Sequence, residues 1–149
     1  MMKKNQEKWA IKKLLRSYFN GEIDFKYNFR GEGWCDERKN LLIHSIIHDY
    51  PIQSMCLSQE NYSRLFVIDG HERIKTITSF TNSEWKLSKN FIFTDAKGKK
   101  HNFSNLVHSK LPYAIQKKIM NYSILINFLL NFQENQIREI YERLNNRKA

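Results

Sequence analysis

The sequence predicts an α+β domain, a small mixed sheet flanked by helices. Three observations predict it. Apolar, β-branched runs at Arg64–Ile68 and Tyr122–Leu130 read as strands. The stretches Lys8–Phe19, Asp36–Asp49 and Gln133–Asn145 repeat their apolar residues at helical spacing. Strands and helices then alternate without clean βαβ repeats, and 149 residues are enough for one domain with a real core.

The elements follow in order. Trp9, Ile11, Leu14, Leu15, Tyr18 and Phe19 form the apolar side of a helix whose other positions are lysine and arginine, so residues 1–20 read as an N-terminal amphipathic helix closed by Asn20-Gly21. Glu22–Tyr27 alternates weakly as a short strand, and the glycines of 28–34 mark a loop. Asp36 is placed as N-cap of a helix with Leu42, Ile43, Ile46 and Ile47 as its stripe, Lys39 and Asn40 lying off it. Ile52–Leu57 reads as a strand, and 58–61 as a turn. After the strand Arg64–Ile68 and the break Asp69-Gly70, the apolar spacing of Ile74, Ile77 and Phe80 is helical. Phe91–Phe93 is a short strand, 95–100 a hairpin-like turn, and 103–107 irregular or a single helical turn. Pro112 sits at N1 of a helix running to Met120. A C-terminal helix spans 133–146.

Twenty-five basic against 15 acidic residues give a net charge of +10, which favours polyanionic partners: nucleic acid, nucleotides or an acidic protein surface. No apolar run approaches the roughly 20 residues that span a bilayer, and the polar start does not read as a signal peptide. Cys35 and Cys56 form neither a disulfide framework nor a metal-ligand pattern. A cytoplasmic, reducing location is expected.

The chemistry concentrates at Asp69-Gly70-His71-Glu72-Arg73. A strand end, a tight turn and a helix start gather free backbone N–H groups at a positive helix end, a natural anion site. An acid at the end of a buried strand is costly unless paired. Arg73, one turn on, fits two roles: partner of Asp69, or bidentate grip on a phosphate. Gly70 permits close backbone approach. His71 is a candidate proton carrier, Glu72 a candidate for activating water or holding a divalent ion, and Thr76 a further phosphate ligand. The alternative is a helix start stabilised by acids near its positive end.

Val67–Ile74 resembles the D-G-Q-Q-R-L signature of the GmrSD-type restriction-endonuclease N-terminal domain family, which is related to the ParB/sulfiredoxin superfamily. Leu41–Ile52 resembles that family's L-I-x-S-I-L-x-G-x-P-I-P segment. Arg30 and Trp34 match the spacing of its Q-R-x-x-x-W element, and Ile140–Asn145 is similar to its F-x-R-L-N element. The resemblance spans about residues 20–146. It implies a ParB-like α+β fold with a nucleotide-binding or NTP-hydrolysing pocket, in a system that defends against phage DNA by modification-dependent restriction. Asp69, Gly70 and Arg73 keep the signature. His71 and Glu72 replace its two glutamines, and Phe29 replaces the glutamine before Arg30. That changes the charge beside a bound phosphate and weakens the inference of hydrolysis.

The resemblance implies an NTP and Mg²⁺ as cofactors, with phosphate contacts from Arg30, Asp69, Gly70, Arg73, Thr76, Arg143 and Asn145, and catalysis, if any, by Glu72 and His71. A fainter likeness, Glu134-Asn135-Gln136-Ile137-Arg138 to the E-N-x-x-R of ParB proteins, adds Glu134 to Asp69 as a metal candidate; coincidence on a polar helix start explains it too. Trp34 fits base stacking or a core position. Lys97, Lys99 and Lys100 are a solvated tip or a phosphate contact. His44 and His48, four apart, have metal spacing but no evident third ligand.

The expected function is a nucleotide- or nucleic-acid-binding module of a restriction system, a possible NTPase without a nuclease motif of its own, acting with a separate nuclease chain or a defence complex. The alternative is a non-enzymatic phage or mobile-element inhibitor, an anti-defence decoy for a protein–nucleic-acid complex.

Overall fold

The structure, a computed structural model, describes residues 1–27, 33–61 and 64–145. Its elements are β1 (Lys3–Ala10), α1 (Ile11–Phe19), β2 (Ile23–Asp24), α2 (Asp36–Ile47), β3 (Met55–Asn61), β4 (Arg64–Asp69), α3 (His71–Thr81), β5 (Ile92–Thr94), β6 (Lys100–Asn102), a 3-10 turn at His108–Lys110, α4 (Tyr113–Asn121), β7 (Ser123–Leu130) and α5 (Glu134–Asn145). The fold is α+β, as the periodicities predict. The chain clusters into two compact units. One holds residues 1–31, 53–71 and 123–149; the other holds 32–52 and 72–122.

The first unit is built on a five-stranded mixed sheet in the order β1-β7-β3-β4-β2. β1 runs antiparallel to β7, β7 parallel to β3, β3 antiparallel to β4 and β4 parallel to β2. α5 closes one face. Its Ile137 and Tyr141 join Tyr27, Cys56, Phe66, Ile68 and Leu129 in one buried cluster, with Phe132, Ile140 and Leu144 at its margin. Burying a side chain such as Ile137 contributes about 2 kcal/mol.

The second unit holds α2, α3 beyond its first residue, the β5–β6 ribbon and α4. Ile43, Ile46 and Ile47 of α2 and Ile74, Ile77 and Phe80 of α3 are buried as their spacing requires.

Several expectations need correction. The N-terminus is a strand as far as Ala10, and the helix starts at Ile11. Lys3–Lys8 has no strand signal of its own; all eight β1 residues are recruited by pairing with β7, and Trp9 packs on Phe128 with ring centroids 5.6 Å apart. β3 runs through the anticipated turn at 58–61, held between β4 and β7. The strand in 22–27 shrinks to Ile23–Asp24, and Lys100–Asn102 is an unanticipated partner strand for β5. Cys35, rather than Asp36, is the cap of α2, and Pro112 caps α4 from just outside it. Asn40 is buried: its amide donates to the Asp36 carbonyl and its oxygen accepts from Ser88 N–H, each at 2.8 Å. The loop carrying Phe29 and Arg30 lies outside the described residues, as does part of the turn between β3 and β4.

Candidate functional site

β4 is apolar because it is buried from Leu65 to Ile68, and it ends on Asp69. Gly70 follows at φ 124°, a conformation that L side chains rarely adopt. A Cβ there would stand 3.0 Å from Met55 Cγ, so the site favours glycine for its conformation and leaves a side chain little room unless Met55 shifts. The chain then turns directly into α3 at His71.

Register places the polar groups. Asp69 pairs with Cys56 on β3, Cys56 with Asn127 on β7, and Asn127 with Gln6 on β1. Asp69, Cys56 and Asn127 of this row line a cavity of about 310 Å³, together with Gln53, Ser54, Met55 and Leu144. Asn127 donates to Ser54 Oγ at 3.3 Å and accepts from Gln6 Nε2 at 2.8 Å. Asn145 reaches back from α5 to the Ile68 carbonyl at 3.0 Å, fixing the helix against the last turn of strand before Asp69. Burial, with the Asp69 charge added, pushes the Cys56 thiol up to about 12. The cleft therefore offers no thiolate near neutral pH. It offers one carboxylate, two carboxamides and a hydroxyl.

The other predicted site residues fall as follows. His71 is buried, its ring 5.8 Å from Phe25 and 5.9 Å from Tyr141, edge-on to the latter. In the second unit Arg73 and Thr76 are buried in the body of α3. A guanidinium in that position is tolerated only when its charge is compensated. Glu72 accepts the Trp34 N–H at 3.1 Å and lies 3.6 Å from Lys75 Nζ, so it ties the start of the α2 segment to α3. Trp34 carries the Arg38 guanidinium over its ring at 4.8 Å. Lys97, Lys99 and Lys100 occupy the exposed β5–β6 tip, where the Asp95 carboxylate accepts the Lys97 and Lys99 N–H groups and meets His101 Nε2, all at 2.9 Å. Those hydrogen bonds, His101 first, hold the Asp95 carboxyl below its ordinary value. Arg143 is exposed and pairs with Glu139 at 2.7 Å on α5. Glu134 opens α5 and is exposed. Arg30 lies outside the described residues.

Among the described residues no three His, Cys, Asp or Glu side chains gather as a metal cluster. His44 and His48 stack at 4.0 Å, but His48 spends Nδ1 on the His44 carbonyl and Nε2 on the Thr94 N–H. That leaves it no lone pair for a metal. No helix among the described residues is long and apolar enough to cross a membrane.

Sequence reasoning missed Gln6, Gln53, Ser54 and Asn127. Asn127 left a signal: it interrupts an otherwise apolar strand, where a carboxamide is costly unless partnered. The others show only once the register is known.

Residues 11–149 match the family described as GmrSD restriction endonuclease, N-terminal domain, and the chain belongs to that family. No curated protein matches it.

Proposed function

We propose, from that membership of a restriction-endonuclease family, that the chain is a ParB-like nucleotide-binding module of a defence system acting on nucleic acid, with the cleft at Asp69 as its ligand site. DNA cleavage falls to a nuclease domain or chain. The observation that carries the reading is the coincidence of two independent features: the signature acid Asp69 lines the polar cavity that register builds from β3, β4 and β7.

The cleft chemistry refines the ligand contacts. Its described lining holds no cation, so a phosphate beside Asp69 needs a counter-charge. Mg²⁺ supplies one, since it binds through one or two carboxylates plus substrate phosphates rather than through an all-protein cage. Asp69 and the neutral oxygens of Ser54, Gln53 and Asn127 fit that kind of partial site. The carboxamides and hydroxyl are then hydrogen-bonding groups for the sugar or base. Hydrolysis has thinner support: His71 is enclosed by aromatic rings and Glu72 is engaged by Trp34 and Lys75.

Thermal melting with and without Mg²⁺ and each NTP tests this. A ligand at a hundred times its Kd stabilises the fold by about 2.7 kcal/mol, a rise of roughly 5–10 °C for a chain of this size. Asp69→Asn should abolish the Mg²⁺-dependent part, read as the ligand-induced rise above the variant's own unliganded melting temperature. No shift with any nucleotide overturns the reading.

A further inference from the structure

In the first unit the positive charge is not spread evenly. Residues 3–16 carry Lys3, Lys4, Lys8, Lys12, Lys13 and Arg16 against one acid, Glu7. The rest of that unit holds seven basic and seven acidic residues, so its entire net charge of +5 sits in these fourteen positions. All six basic side chains are exposed, and among the described residues no ion pair holds any of them. Glu7 is occupied: its carboxylate accepts Trp9 Nε1 at 3.0 Å and Asn5 Nδ2 at 3.1 Å.

The segment also has a direction. β1 is an edge strand, paired only with β7 among the described residues. Because strand side chains alternate, Lys4 and Lys8 share a face with Gln6, and Gln6 touches Asn127 of the cleft lining. The two lysines stand about 13 Å apart along the strand, one on either side of that contact. α1 adds Lys12 and Arg16 one turn apart, and Lys13, which lies over the Trp9 ring at 4.6 Å.

We propose that β1 and α1 form a surface for the phosphate backbone of a nucleic acid, which Lys4 and Lys8 lead toward the Asp69 cleft. Unpaired, regularly spaced cations of one sign are what a phosphate chain rewards, through release of its counterions. A bilayer fits worse: the apolar side of α1, Ile11, Leu14 and Leu15, is buried in the protein and cannot insert. An acidic protein would need an apolar centre to its interface, and the exposed aromatic of α1, Phe19, stands at the helix end beyond Arg16 rather than among the basic residues. The inference rests on the proposed function only for the class of partner.

The test uses the full chain and labelled 20-nucleotide DNA, single-stranded and duplex, titrated at 50–300 mM salt. K4Q/K8Q/K12Q/R16Q should weaken binding at least tenfold and lower the log–log salt slope by about 2–4, duplex giving the steeper dependence per phosphate. K86Q/K89Q/K110Q/K117Q removes the same charge from exposed lysines of the second unit and should change affinity less than threefold. Melting curves confirm that both variants fold. Equal weakening by both variants overturns the surface, as does unchanged binding by the first. Unchanged binding with new aggregation would assign the lysines to guarding the strand edge instead. If the unaltered chain binds neither DNA while Mg²⁺ and an NTP still raise its melting temperature, the surface falls and the cleft stands.

Discussion

Asp69 and Glu72 lie three residues apart around one turn, yet their surroundings differ. Asp69 ends a strand of the sheet unit and lines a cavity with carboxamides and a hydroxyl. Glu72 sits in the helical unit and is spent on the Trp34 N–H and Lys75. A carboxylate that accepts a backbone N–H and meets a lysine holds structure together. Asp69 is engaged within the fold as well, but it also lines the cavity. The turn of this chain therefore carries one acid that lines a cavity and one that braces a backbone N–H, and their neighbours, not their residue type, separate them.

Substitutions can break this contrast, beginning at the glycine between them. Gly70→Val should cost about 3 kcal/mol in urea unfolding, because it adds a branched side chain at positive φ against Met55. A neutral result would mean the turn relaxes and the cleft geometry is not imposed by it. Glu72→Ala comes next. It strips the acceptor from a half-buried N–H and should cost about 2 kcal/mol, with a red shift of Trp34 emission. Asp69→Asn keeps the side-chain shape but removes the charge of a half-buried, engaged carboxylate, and should cost about 1 kcal/mol in the absence of ligand. If Asp69→Asn destabilises as much as Glu72→Ala, the contrast collapses.

The smallest effect concerns pH at the β5–β6 tip. Asp95 has its folded value depressed, so its contribution is complete above the unfolded carboxyl range and lost as pH falls through the folded value. Asp95→Asn should remove that contribution to the acid limb of the melting profile. An unchanged acid limb contradicts the assignment.

The parts of this molecule that were legible in sequence are those whose own residues dictate their state. Buried β4 and β7 announce themselves by β-branched runs, and α3 and α5 by helical spacing. β1 does not, because Lys3–Lys8 contains polar residues that suit helix or coil; only the partner β7 makes it a strand. β3 likewise extends through turn-forming residues because strands flank it on both sides. At the site, Asp69 and Gly70 were legible because a motif is contiguous. Gln53 and Asn127 were not, since β7 and the segment leading into β3 are far apart in sequence and come together only when the sheet forms. The family was legible because its four elements recur in order, and the match over residues 11–149 agrees.

The central claim is that the cleft at Asp69 takes the ligand. The most direct measurement follows the side-chain amide NMR signals of Gln53 and Asn127, with the Trp34 indole as reference, while Mg²⁺ and an NTP are titrated. The account predicts saturable shifts of both amides, no shift of the indole, and loss of the response in Asp69→Asn. Saturable shifts at Trp34 with silent amides, or a full response in Asp69→Asn, would contradict it.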